Sequence, residues 1–134
     1  MPTPGIEEFA RLLMTVVRDE AIGSCDRDLS PSARGVVAIR WRKSMERGSH
    51  EEFAREIIPD CVDDAIFYLL HAIDEGILQL SFTASNGKTV DLTKEGDSEM
   101  AGWFAGYAWK ERYSKQRFND DLSHPDRYTG PETP

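Results

Sequence analysis

Long hydrophobic runs are missing from this chain, so no membrane-spanning helix is expected. The N-terminus, MPTPGIEEFARLL, lacks a basic stretch leading into an apolar one, so no secretory signal is read there and the protein is expected in the cytoplasm. Cysteine is scarce, with only Cys25 and Cys61 present. In that compartment both are expected as reduced thiols in small core or near-surface positions. The phosphate-binding patterns G-x-x-x-x-G-K-[ST] and G-x-G-x-x-G are absent, as is the nucleophile elbow G-x-S-x-G. His50-Glu51-Glu52 opens no H-E-x-x-H motif, and the Glu-x-x-His pattern of di-iron bundles is absent. No local signature surrounds either cysteine, and no internal repeat is visible. No catalytic residue, metal ligand or cofactor is therefore assigned, and the chain reads as non-enzymatic.

Positive charge is also in the minority. Sixteen Lys and Arg face twenty-four Asp and Glu, for a net charge of −8. Such acidity disfavours non-specific nucleic-acid binding and favours a basic protein partner. The charge is unevenly spread. Residues 31–47 hold Arg34, Arg40, Arg42, Lys43 and Arg47 against Glu46 alone. Residues 48–80 hold eight acidic groups against Arg55.

The stretch around which the chain is organised is Cys61–Gly76. Val62, Ile66, Leu69 and Ile73 form a helical stripe, widened by Ala65, Leu70 and Ala72. Its apolar arc exceeds the roughly 100° that a surface helix needs, so it is expected to be covered on at least two sides and to be among the most buried elements. Asp60 reads as its N-cap, Pro59 as the end of the preceding helix and Gly76 as its stop. Leu78, Leu80 and Phe82 then alternate with polar residues, as one strand of a hairpin turning at Asn86-Gly87. A two-residue turn would pair Phe82 with Asp91. A three-residue loop, Ser85-Asn86-Gly87, pairs Phe82 with Val90 and Leu80 with Leu92, and keeps one dry face. Gly87 then takes the left-handed position of a G1 bulge.

Thr3-Pro4 opens an amphipathic helix carrying Ile6, Phe9, Leu13, Val16 and Val17, expected to end near Gly23 before a polar loop to Pro31. Residues 32–47 fit both a helical and a strand period; Pro31 before them and Gly48 after them favour a helix. Ser49 and Glu52 have capping-box spacing for a short helix, His50–Ile58. A last helix is expected over 98–118, capped by Asp97 or Ser98. One arc of it carries Met100, Trp103, Phe104 and Tyr107, and a second carries Gly102, Gly106, Trp109 and Tyr113. The expected fold is α+β: four or five helices with one antiparallel hairpin, about 77–92, packed on them. Residues 1–118 are expected as a single globular domain and 119–134 as a loosely ordered tail.

Two groups of residues stand out for function. The first is an interaction surface on the last helix, with Trp109 and Tyr113 as anchors, Gly102 and Gly106 permitting close approach, and Arg112 and Arg117 at the rim. It would serve a protein partner or a homodimer. The second is a polar strip, Asp64, His71 and Glu75, on one face of the central helix. The leading expectation is a small interaction protein, in one concrete form an acidic neutraliser of a basic partner, of immunity or antitoxin type. A nucleic-acid-binding regulator is the second. HAIDEGILQLSFTASNGKTV is similar in shape to the recognition helix and wing of winged helix-turn-helix domains, but that helix is acidic, and the cations lie at Arg40 and Lys43 in the 31–47 segment. A small enzyme is the third. It would need Asp64, His71 or a cysteine to converge in one cleft.

Overall fold

The protein, described over residues 3–121 by a computed structural model, begins with one long helical run. Thr3 accepts a hydrogen bond from the Ile6 amide at 3.3 Å and Pro4 follows it, as the capping signal predicts. α1 (Pro4–Leu12) passes through a π-helical segment, Leu13–Arg18, into α2 (Asp19–Leu29). The helix therefore does not end near Gly23. One glycine costs a helix only about 1 kcal/mol, and α2 lies along α4 (His50–Asp74), which holds it helical to Leu29. Residues 31–35 turn, and α3 (Val36–Arg47) is the helix that Pro31 and Gly48 favoured, with Gly35 at its N-cap.

The largest departure from the sequence reading is at Pro59. Two helices were expected there, with Asp60 capping the second. The structure has a single 25-residue helix, α4, with Pro59 inside it. Ser49 caps it as expected, accepting from the Glu52 amide at 3.1 Å. A proline has no N–H, so the carbonyl of Arg55, four residues earlier, loses its helical donor. Arg117 supplies the replacement: its Nε and Nη2 donate to the Arg55 carbonyl at 3.3 and 3.1 Å. Asn119 Nδ2 donates to the next carbonyl, that of Glu56, at 3.2 Å.

A clamp then spans the proline. Arg40 of α3 is 3% exposed. Its Nη1 donates at 2.8 Å to both Glu56 Oε1 and Asp60 Oδ2, one turn apart on either side of Pro59. Its Nε and Nη2 meet the two carboxylate oxygens of Asp121 at 2.9 and 3.0 Å. Burial alone would lower the Arg40 pKa, but the three carboxylates around it reverse that and raise it. The neighbouring Trp41, almost fully buried, donates from Nε1 to Asp60 Oδ2 at 2.6 Å. Asp60 is thus a ligand of the clamp and not a helix cap. Asn119 and Asp121, at the start of the expected tail, are tied to this clamp; residues 122–134 lie outside the described residues.

The hairpin follows the three-residue-loop register. β1 (Ser81–Thr83) and β2 (Thr89–Asp91) are antiparallel, with Phe82 opposite Val90. Ala84 N donates to Lys88 O at 2.8 Å, Gly87 N to Ala84 O at 2.9 Å, and Gly87 has φ +86°. Asp91 caps the short α5 (Leu92–Glu95). The hairpin packs through its base, where Leu78 is buried and Leu80 and Leu92 adjoin the core of Val17, Ala72, Ile73 and Met100. Its tip stands clear, with Phe82 exposed.

The expected last helix is two short ones, α6 (Met100–Ala105) and α7 (Ala108–Tyr113). Neither Asp97 nor Ser98 caps α6. Asp74, buried at the end of α4, reaches across instead and accepts from Met100 N at 3.1 Å and Ala101 N at 2.9 Å. Gly106 ends α6, and Tyr107 has φ 70°, a left-handed conformation that costs a residue with a Cβ about 1–2 kcal/mol. The ring contacts of Tyr107 offset that cost: it stacks on Phe118, centroids 5.9 Å apart, and lies 4.5 Å beneath Lys110 Nζ.

The architecture is α+β: mainly helical, with one two-stranded hairpin. The helical segments outnumber the four or five expected, because the last helix is split and α5 was not foreseen. No helix among the described residues is long and apolar enough to cross a membrane. Replacing Arg40 by Ala leaves three carboxylates facing one another in a dry site. Breaking a buried ion pair in this way costs about 3–5 kcal/mol. Urea denaturation is expected to show a loss of that size, and Arg40→Lys is expected to recover little of it, because an ammonium cannot bridge three carboxylates as a planar fork does.

Candidate interaction groove

The central helix is less buried than its apolar arc predicts. Of Cys61–Asp74, only Ala72, Ile73 and Asp74 are buried. The π-helical segment, α2, α3 and α6 all pack on α4. The stripe Ile58, Val62, Ile66 remains 51%, 53% and 38% exposed. These residues recur every four positions and so lie along one edge of α4. That edge of the apolar arc is a wall open to solvent.

The facing wall comes from the break at Tyr107. Because α7 starts afresh after the left-handed residue, it does not continue α6, and Lys110 ties it to Asp63 of α4. Trp109 is half-buried against the core and lies 6.3 Å from the Trp103 ring at an interplanar angle of 56°. Tyr113 is 71% exposed. Between the walls lies a groove of about 580 Å³, floored by Pro59, Phe104 and Phe118. Lys110 fixes its depth. Its ammonium sits 4.5 Å above the Phe104 ring and 5.7 Å from Phe118, and donates to Asp63 Oδ2 at 3.2 Å. The ion pair lies within the groove wall and joins α7 to α4. Burial nevertheless keeps the Asp63 pKa above the ordinary carboxylate value, against the pull of Lys110.

The sequence-predicted surface is thereby divided. Trp109, Tyr113 and Arg117 line this groove. Gly102 lies on another depression, with Phe67, His71 and Trp103, and nothing approaches within 4 Å of where its Cβ would be. At Gly106 a Cβ would meet only carbonyls of its own turn, at 3.5 Å. Neither glycine is required by close helix packing. Arg112 is exposed, its guanidinium 5.6 Å from the Tyr113 ring. Arg117, expected at a rim, is also the donor that makes Pro59 tolerable in α4. Ile58, Val62 and Ile66 were not among the candidates; their surplus over the core arc was the signal for them.

The polar strip does not converge. His71 Nε2 pairs with Glu75 at 3.1 Å, and its ring stacks on Phe67 at 5.9 Å. Asp64, two turns away, faces Cys25 Sγ at 3.6 Å. No group of three or more His, Cys, Asp or Glu among the described residues is arranged to hold a metal ion. In the basic segment, Arg40 is enclosed by carboxylates, Arg42 donates to the Ser30 carbonyl at 3.4 Å and Arg47 to that of Lys43 at 3.1 Å. Arg40 is therefore unavailable to a phosphate.

Asp28, Asp63 and Asp64 all have raised pKa values, with burial the leading cause in each. A carboxyl whose pKa is higher folded than unfolded weakens the native state at neutral pH. That penalty fades as acidification protonates the native state first. Asp64→Asn keeps the shape without the charge. It is expected to raise stability at neutral pH, with the gain shrinking as the pH falls toward about 4. Urea midpoints along that pH series check the sign; a gain that grows on acidification contradicts it. Comparison with protein-family models, with curated proteins and with solved structures finds no match to this chain.

Proposed function

We propose that this chain is a non-enzymatic binding protein whose groove between α4 and α6–α7 receives the apolar face of a helix from a basic protein partner. The observation that carries this reading is the exposed Ile58–Val62–Ile66 stripe opposed by Trp109 and Tyr113. A contiguous apolar surface with an aromatic anchor is what a helix-receiving groove requires; its charged lining is Asp63, Lys110 and Arg117, so the partner's cations are expected to lie outside the groove. A helix of two to three turns matches the length of the stripe, since eight residues of α4 rise about 12 Å.

The partner's charge follows from the chain's own. The acids of residues 48–80 are largely engaged within the fold: Glu56 and Asp60 on Arg40, Asp63 on Lys110, and Asp74 on the amides of α6. The net charge of −8 persists around these local pairs. It steers a cationic partner toward the chain and repels a second acidic copy. An acidic neutraliser, as in immunity proteins and antitoxins, is the concrete form this suggests.

The test uses two synthetic amphipathic helices, one of Leu and Lys and one of Leu and Glu. The Leu/Lys helix is expected to bind more tightly, with affinity falling as salt rises. Val62→Glu is expected to keep the fold, since the position is open, and to weaken binding roughly tenfold or more. Light scattering is expected to give the mass of one chain for the free protein. Equal binding by the Val62→Glu protein overturns the groove. A wild-type dimer that Val62→Glu converts to folded monomer replaces the basic partner with a second copy.

A further inference from the structure

Cys25 and Cys61 are far apart in sequence, on α2 and α4, yet their sulfurs lie 3.1 Å apart. Both are free thiols and half-buried. They close one end of an apolar groove of about 460 Å³ whose walls include Leu13, Met14, Val17 and Ile22, so a small solute can reach them without unfolding the helices. The N-terminal run they join to α4 has few fully buried side chains. Across the whole N-terminal run, Pro4–Leu29, only Val17 and Ala21 are buried, and α1 buries no residue. From this geometry we propose that Cys25 and Cys61 form a reversible redox staple, closing to an intramolecular disulfide that ties α2 to α4 when the chain meets a small soluble disulfide.

The two sulfurs have different roles. The Cys25 thiol donates toward Cys61 Sγ and also faces Asp64 Oδ2 at 3.6 Å, so Cys61 is the sulfur on which negative charge is supported. Cys61, as thiolate, attacks one sulfur of the disulfide R–S–S–R. The S–S bond of the reagent breaks, and the other half leaves as R–S⁻ and takes a proton from water. Cys61 is now held in a mixed disulfide with the remaining R–S group. Cys25 loses its proton to Asp64 or solvent and attacks Cys61 Sγ. The second R–S⁻ departs and is protonated in turn. The protein has lost two electrons and two protons, and the reagent has become two thiols. The short distance makes the second step intramolecular, so the mixed disulfide does not accumulate. Burial is the first cause that raises both thiol pKa values; the neighbouring sulfur and Asp64 add to it at Cys25, and Asp64 and Asp60 at Cys61. Exchange is accordingly slow, and the pair persists as thiols where no disulfide is supplied.

The native protein is incubated with oxidised glutathione, quenched by alkylation and measured by intact mass and peptide mapping. The expected product has lost two hydrogens, contains a peptide linking residues 25 and 61, carries no glutathione, and melts several degrees higher than the reduced chain. Excess thiol returns it to the starting state. Cys25→Ser is expected to stop at the glutathione adduct on Cys61. Wild-type protein that keeps both thiols, accumulates the adduct, or cross-links between chains overturns the staple, provided an exposed-thiol peptide reacts under the same conditions. These readouts concern the wild-type chain, so misfolding of a variant does not decide the result.

Discussion

A single guanidinium holds the two halves of this protein in register. Arg40 is enclosed by Glu56, Asp60 and Asp121, and each of its donor nitrogens has a carboxylate partner. A charge so deeply buried is tolerable only when fully paired. Its site therefore specifies geometry as much as it stabilises. α3 must cross α4 where Glu56 and Asp60 project, and the chain after α7 must return far enough to present Asp121. Trp41, packed beside it and bonded to Asp60, fills the space that would otherwise admit water.

Pro59 makes sense only within that arrangement. Alone it would end a helix. Here Arg40 grips the turn on both sides of it, while Arg117 satisfies the carbonyl that Pro59 leaves without a helical donor and Asn119 bonds the next one. The return of the C-terminal segment thus does two things: it completes the buried ion cluster and repairs the helix ladder. The same return sets Phe118 against Tyr107 and so stabilises the left-handed turn that separates α6 from α7. The groove exists because of this chain of dependence, since its aromatic wall is positioned by the turn and its floor by the continuous α4.

Acidity has a different meaning in the fold than in the composition. Several of the acids between residues 48 and 80 are structural acceptors: two on Arg40, one on Lys110 and one on the first amides of α6. In the proposed function, their contribution to a partner is the long-range field of the net charge, and contact chemistry falls to the apolar edge of α4 and to the rings of Trp109 and Tyr113. Steering by charge and anchoring by apolar surface are separable, because salt screens the first and leaves the second nearly untouched.

Local signals in the sequence determined the parts whose causes are local. Thr3-Pro4 and Ser49 with Glu52 set helix starts, Gly48 ends α3, and alternation with Ser85-Asn86-Gly87 sets the hairpin register, because caps and turns depend on residues within a few positions of one another. The helical character of Cys61–Asp74 was legible for the same reason, since periodicity is carried by adjacent positions; Trp109, Tyr113 and Arg117 stood out by residue type, and the fold sets them on one groove. Tertiary structure alone decided the continuity of α4 through Pro59, the capping of α6 by Asp74, the burial of Arg40 and the meeting of Cys25 with Cys61. Each of these joins groups many residues apart, and Pro59, Arg40 and the remote cap each run against a residue's ordinary preference. Only the other half of the contact supplies the energy that reverses the preference, and its arrival is a property of the folded chain.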